Sequence, residues 1–198
     1  MNNLSIVLST YNEEDNIRQT LTKLINNSLI SEVVIVDDNS NDQTVKIVNE
    51  IKNEKVKLFI RKNTKGFASA FIFGLLMCKG EYIMRFDIDM HSEVDLFLQT
   101  FKKNTDKDCV IFSRYVASGG DQRGLYRKLS SLIINKLCQY LLSNKIKDYT
   151  SCIMFFKKDL LMDVIPKNTH YANFIIEFIF FLFLKKRNYL ELVFFQKK

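Results

Sequence analysis

Over its first 113 residues the chain alternates short, continuous apolar runs with longer stretches of helical periodicity, and this alternation constrains the fold more than any other feature. The runs at 4–9, 32–36, 56–61, 81–86 and 108–113 are rich in β-branched and aromatic residues and bounded by polar ones, the pattern of buried strands. Between them, 14–26 places Ile17, Leu21, Leu24 and Ile25 at helical spacing. The stretch 41–53 follows an Asn-Ser-Asn-Asp cluster of helix-capping types, 67–78 is apolar nearly all round, and 93–103 is again helical. Strands that alternate with helices predict a parallel sheet covered on both faces.

Beyond 113 the pattern changes. A polar, glycine-containing loop is expected at 116–124. A long helix at 126–142 carries Leu129, Leu132, Ile133, Leu137, Tyr140 and Leu141 along one side. A strand at 151–156, a helix at 172–186 and a last strand at 189–195 follow. The expected class is α/β: a Rossmann-like, mostly parallel sheet with helices on both faces. With 198 residues, 47% of them apolar, and no Pro/Gly/Ser-rich linker or internal repeat, a single domain over 1–198 is expected and general disorder is not.

The net charge of +7 favours an anionic partner, and the excess lies late, at Arg123, Arg127, Lys128, Lys145, Lys147, Lys157, Lys158 and the cations from Lys185 onward. The four cysteines, Cys78, Cys109, Cys138 and Cys152, form no CxxC pair and sit in apolar stretches, which suggests buried thiols in a reducing cytosol. With only His91 and His170 to help, a zinc site is not expected. The N-terminus shows no basic-then-apolar signal peptide. The most hydrophobic stretch, 172–184, contains Glu177 and is shorter than the roughly 20 residues a membrane span needs, so it is expected to be a core helix.

In open α/β sheets ligands bind beyond the carboxyl ends of the strands. There the chain places Thr10, Tyr11, Asn12 and Glu13, then Asp37 and Asp38, then Asn63, Lys65 and Gly66, then Asp87 and Asp89, and last Ser113 and Arg114. Carboxylates alternate with cations along this edge. Asp87 and Asp89, one residue apart just past a buried strand, can bring oxygens to one hard cation such as Mg2+ or Mn2+, with substrate phosphates and water completing the shell. His91 is either a third ligand, favouring Mn2+, or a solvated turn residue. The place after the first strand reads Ser-Thr-Tyr-Asn-Glu rather than GxGxxG, and no GxxxxGK[ST] occurs, which disfavours dinucleotide-dependent oxidoreduction and P-loop chemistry.

The series STYNE (9–13), VDDNS (36–40), NTKGFASA (63–70) and DID (87–89) resembles the family 2 glycosyltransferases of GT-A fold. In the second half, SRYVASGG (113–120), YRKLSS (126–131), DYTS (148–151) and FIIEF (174–178) resemble dolichol-phosphate and polyprenol-phosphate mannosyl- and glucosyltransferases. The resemblance spans nearly the whole chain. It implies a nucleotide-sugar-binding half at 1–115 and an acceptor-binding half at 116–198. It implies that Thr10, Tyr11, Glu13 and Asp38 cradle the base and ribose of the donor, with Lys65 and Gly66 near the nucleotide; Asp37 or Asp38 alone could instead be a strand-end cap. Asp87 would approach the ribose or diphosphate and Asp89 would hold the metal, with His91 where the family often has Gln. Arg114, Arg127 and Ser131 would face the acceptor phosphate, which makes Asp89, Arg114 and Arg127 the expected catalytic groups. The chain departs from the pattern at Ser9, in place of the usual Pro, and at Leu132 and Ile133, where Arg and Gly are common. The family's downstream Arg/Gly/Ser-Lys segment and C-terminal membrane helices do not follow the last strand, so a separate membrane-anchoring subunit or a C-terminal extension is expected.

These features predict an inverting, metal-dependent transfer of a hexose from GDP-mannose or UDP-glucose to a polyprenyl phosphate, on the cytoplasmic face of a membrane. The 126–142 helix could lie peripherally on lipid, whereas the Phe-rich 178–183 stretch is expected to pack on the sheet. One rival is transfer to a saccharide hydroxyl in cell-surface polysaccharide synthesis, which would need a carboxylate base. Another is a non-catalytic nucleotide- or nucleic-acid-binding module. Against nucleic acid, the basic residues carry no interleaved aromatics, and the Asp cluster would repel a polyanion.

Overall fold

The computed structural model describes residues 3–116, 119–163 and 174–196. The five apolar runs become β1 (Leu4–Thr10), β2 (Ile30–Asp37), β3 (Val56–Ile60), β4 (Tyr82–Arg85) and β5 (Cys109–Ser113). Later come the short β6 (Gly120–Asp121), then β7 (Met154–Lys157), β8 (Tyr189–Val193) and β9 (Phe195–Gln196). The helices are α1 (Glu14–Ile25), α2 (Thr44–Glu50), α3 (Phe67–Met77), α4 (Val94–Lys103), α5 (Leu125–Leu141), α6 (Leu160–Asp163) and α7 (Phe174–Leu184), with a 3-10 turn, His91–Glu93, leading into α4.

Seven strands form the main sheet in the order β3-β2-β1-β4-β7-β5-β8, and β6 pairs with β9 beside it. β1 to β4 are parallel, as the alternation predicts. β7 is the exception: it inserts antiparallel between β4 and β5, so that β5 and β8 run in the same direction as β1. This brings the start of β7 to the edge where the parallel strands end, with Arg85 opposite Met154. Side-chain alternation then builds two cores. Leu4, Ile6, Val33, Ile35, Met84 and Phe112 pack with α1, α2 and α4 on one face. Val7, Val34, Val36, Ile83, Ile111 and Phe156 pack with α3 and α7 on the other.

Several elements differ from the sequence expectation: β7 starts at Met154 rather than 151, and β6 lies within the expected 116–124 loop. α2 starts at Thr44 rather than 41, because the preceding polar residues form the loop: Asp42 accepts hydrogen bonds from Thr44 N and Oγ1 and from Glu14 N. The last strand breaks at Phe194, whose N–H donates to Ser113 O, and β9 leaves to pair with β6. Part of the expected 172–186 helix lies outside the described residues, as does His170.

α7 packs into the core through Phe174, Ile175, Phe178, Ile179 and Leu182, as expected of the Phe-rich stretch. α5 does the reverse of an ordinary surface helix. Its polar Asn135 is buried, and Ile133, Leu137 and Tyr140 are 65%, 54% and 87% exposed. The inward face is fixed by hydrogen bonds: Asn135 Nδ2 donates to Thr150 Oγ1 (2.8 Å), and its Oδ1 accepts from Tyr149 N (2.6 Å). Each of those buried polar groups, left unpaired, would cost about 1–3 kcal/mol. Among the described residues no helix is long and apolar enough to cross a membrane.

Candidate active site

The loops after β1 and β2 are locked together before any ligand is considered. Thr10 Oγ1 donates to Asp37 Oδ2 (2.8 Å), Asp38 N donates to Thr10 O, and Asn12 N donates to Ser40 Oγ (2.9 Å). Asn12 and Asn39 adopt the left-handed conformation that asparagine tolerates better than most residues, at φ 56° and 59°. Asp37 is thereby consumed as a loop brace, also accepting from Ser40 N and Oγ. Asp38 is held by Arg61, whose Nε and Nη2 both reach its Oδ1, and by Gly66 N at 2.8 Å. Gly66 sits at φ 135°, where a side chain would be strained, so the Lys65-Gly66 turn depends on glycine. Lys65 Nζ lies 4.5 Å from the centre of the Tyr11 ring, both residues exposed at the rim.

Two clefts meet at the end of β4. The first, about 330 Å3, is lined by Thr10, Tyr11, Glu13 and Asp38 together with Phe67, Arg85, Asp87 and Asp89. The second, about 300 Å3, is lined by Asp87 and Asp89 again, with Glu93, Arg123, Arg127 and Gln196. A smaller space of about 70 Å3 continues inward past Asp87, Arg114, Arg123 and Cys152. Asp87 borders all three and Asp89 borders two. A cavity of about 620 Å3 at the opposite edge of the sheet, among Leu75, Gly80, Lys157 and Leu161, contains none of these groups.

Burial pushes the Asp89 carboxyl up from its ordinary value, and the charge of Asp87 pushes it further the same way. Glu13 is also raised, first by burial, with Asp89 and Asp87 adding repulsion while Asn16 opposes. Concentrated negative charge in a cleft is what a divalent cation relieves, and an Asp pair with room for phosphate and water suits Mg2+ or Mn2+. Among the described residues no group of three His, Cys, Asp or Glu is placed to hold a metal, and His91 borders neither cleft. The chain turns immediately after the acids, with Met90 N donating to Asp87 O and Glu93 N to Met90 O. That turn breaks the extended alternation that would have aligned residues 87, 89 and 91.

The cations are also rearranged. Arg114, expected to face an acceptor phosphate, is 5% exposed and committed to Asp148: Nε to Oδ2 at 2.9 Å and Nη2 to Oδ1 at 2.8 Å, with Nη2 also reaching Thr150 Oγ1. Its neighbour in space, Arg123, is clamped by both oxygens of Asp121 (2.9 and 2.6 Å) and by Ser131 Oγ (3.0 Å), and it borders the second cleft beside the exposed Arg127. Ser131 therefore orients Arg123. Sequence reasoning missed Arg61, Arg85 and the role of Arg123. A signal existed for Arg85, since a lone arginine inside an otherwise apolar strand has to find a partner.

The sequence profile described as Glycosyl transferase family 2 matches residues 5–165. The chain belongs to that family. A dolichol-phosphate mannosyltransferase of Pyrococcus furiosus is 31% identical over 133 residues, which is 65% of this chain and 38% of that protein. One from Saccharomyces cerevisiae is 26% identical over 136 residues, 64% of this chain and 51% of that protein. The matched regions thus span about two fifths and one half of those curated relatives. In three dimensions the chain superposes on glucosyl-3-phosphoglycerate synthase from Mycobacterium tuberculosis, crystallised with Mn2+, UDP and phosphoglyceric acid. The TM-score is 0.73 at 16% identity, covering 98% of this chain and 68% of that one. The same enzyme with Mg2+ and UDP gives 0.71 at 15% identity, covering 98% and 69%. At these identities the likeness is one of fold.

Proposed function

We propose that this family 2 glycosyltransferase chain transfers a hexose from a nucleotide sugar, GDP-mannose or UDP-glucose, to the phosphate of a polyprenol, with inversion at the anomeric carbon. The observation that carries this reading is the pair of clefts with a shared wall, one acidic and aromatic-rimmed, the other bordered by two arginines. Residues 1–115 would supply the donor side and 116–198 the acceptor side. Tyr11, Glu13 and Asp38 line the space for base and ribose, with Thr10 and Lys65 at its border. Asp89, with Asp87, would hold Mg2+ or Mn2+, which supplies charge neutralisation for the departing diphosphate. The Mn2+, Mg2+ and UDP in the superposed enzyme agree with that choice.

Arg123 and Arg127 would receive the acceptor phosphate, with Arg114 acting from behind through the buried network. A phosphate monoester has its second pKa near 6, so it is largely a dianion at neutral pH and attacks without a strong base. Attack opposite the leaving diphosphate turns an α-linked donor into a β-linked product. The dolichol-phosphate relatives agree with a lipid-phosphate acceptor. Labelled hexose from GDP-mannose or UDP-glucose is expected in a lipid-extractable product when polyprenyl phosphate and Mn2+ or Mg2+ are supplied. Label appearing only in oligosaccharide would exclude this acceptor.

Transfer to a saccharide hydroxyl, the second reading, is favoured by Glu93, a carboxylate bordering the second cleft that could serve as base. Glu93→Gln separates the two: it should leave transfer to phosphate within about threefold but reduce transfer to a hydroxyl by about 100-fold or more.

Peripheral attachment to a membrane, at its cytoplasmic face, is supported by α5. Its outward apolar face is accompanied by exposed Lys128 and Lys136 and, just beyond the helix, Lys145. Arg127 lies in the first turn of the same helix, so the helix resting on lipid would put the second cleft at headgroup depth. Changing Ile133, Leu137 and Tyr140 together to glutamate is expected to lower co-sedimentation with phosphatidylglycerol vesicles about tenfold or more, while the melting temperature holds. Unchanged sedimentation would place the membrane contact elsewhere.

A further inference from the structure

We propose that Arg85 is a positioning residue, holding the Asp87 carboxylate as the partition between the two clefts and leaving Asp89 as the acid open to a cation. The inference rests on reading those clefts as donor and acceptor sites.

Arg85 is the last residue of β4 and 3% exposed, in a strand whose other residues are Tyr82, Ile83 and Met84. A buried guanidinium is tolerated only when its charge is matched and its N–H groups are used. Here Asp87 matches the charge, two of the N–H groups are used, and an aromatic ring covers the guanidinium. Its Nη2 donates to Asp87 Oδ1, and its Nη1 donates to Cys152 O at 2.8 Å, in the segment leading into β7. The Phe67 ring of α3 covers it at 4.5 Å from the guanidinium carbon. The fork therefore has little freedom, and the carboxylate it holds inherits that rigidity.

Asp87 needs such an anchor. It lies beyond the end of the strand, at the turn closed by Met90 N, and its side chain is 41% exposed. It also borders all three cavities, so rotation of its carboxylate would open one cleft into the other. The two acids are consequently unequal. Asp87 has a guanidinium partner, whereas among the described residues no Lys or Arg forms an ion pair with Asp89. The Arg85 contact to Cys152 O adds a tether between β4 and the second half of the chain, so one side chain fixes the border of both substrates.

A double-mutant cycle of Arg85→Gln and Asp87→Asn tests this, read by calorimetric binding of UDP and of GDP with Mn2+ and by urea unfolding without nucleotide. Each single change is expected to weaken nucleotide binding about tenfold, and the double variant should bind within about twofold of Asp87→Asn, because Arg85 acts through Asp87. Losses that multiply, or a folded Arg85→Gln protein that binds as the wild type does, would overturn the proposal. If the unchanged protein bound neither UDP nor GDP, the donor reading would fall. The unfolding cycle would then decide for Arg85: a coupling of about fivefold or more in the unfolding constant is expected, and additive effects overturn it. Should Arg85→Gln not fold, Arg85→Lys, which keeps the charge but not the fork, carries the same cycle.

Discussion

Asp89→Ala is expected to lower hexose transfer about 100- to 1,000-fold while the protein stays folded. The loss follows from where negative charge grows when the sugar–diphosphate bond breaks, since removing one group aimed at developing charge costs enzymes about 100- to 1,000-fold. Asp89 is the acid with no Lys or Arg ion pair among the described residues, so its loss removes the better cation ligand of the two. Mn2+ binding, followed by electron paramagnetic resonance, should fall in parallel. The fold should not suffer. Burial and Asp87 raise the Asp89 carboxyl above its ordinary value. A folded-state pKa above the unfolded one means that stability is lost as pH rises through the window between them, so at neutral pH the charged Asp89 opposes folding. The variant is thus expected to melt no lower than the wild type at pH 7 without metal. Retained turnover would remove Asp89 from the chemistry, and a large drop in melting temperature would show that it has a structural task instead.

The second large effect is on stability. Asp148 is fully buried and accepts from Arg114 N, Nε and Nη2 and from Thr150 N, while Asn135 also approaches it. Asp148→Ala would leave the Arg114 guanidinium, itself 5% exposed, with Thr150 Oγ1, Gln196 Oε1 at 3.4 Å, Asp121 at 3.9 Å and the Tyr115 ring at 5.2 Å. Removing one partner of a buried ion pair costs about 3–5 kcal/mol. For a chain of this length that corresponds to a fall in melting temperature on the order of 10 °C. Asp148→Asn keeps one acceptor oxygen and should lose less. Calorimetric melts of the three proteins check both the size and the order. Because Arg114 and Arg123 share Asp121, the Ala variant should also disturb the second cleft. A melting temperature within about 2–3 °C of the wild type, the shift of about 1 kcal/mol in a chain this long, would mean that water compensates the guanidinium.

Much of the site is legible in the sequence because strand ends are legible. A run such as Ile6-Val7-Leu8 has to be buried on both faces, and the polar residues after it have to emerge at a sheet edge, which brings Thr10, Asp38 and Asp87 together. Gly66 is equally local, since its φ of 135° is open to glycine and strained for a residue with a side chain. The cations were less legible. Arg114, Arg123 and Arg127 look alike among the basic residues of the chain, but one is buried on Asp148, one is clamped by Asp121 and one is exposed. His91 illustrates the same limit: it opens a 3-10 turn just after the acids and borders neither cleft.

By itself the sequence determined the order of strands and helices, the two-faced burial of the sheet and the edge at which the acids gather. Each of these comes from periodicity and residue type over a few neighbouring positions. Only the tertiary structure decided that β7 runs antiparallel into the sheet, that α5 turns its apolar face outward, and that Arg114 is buried on Asp148. Those outcomes depend on partners 14 to 67 residues apart, such as Asn135 with Tyr149, Arg114 with Asp148 and Arg85 with Cys152. A charged group is indifferent to sequence distance and pairs with whatever counter-charge the packed layers leave within reach.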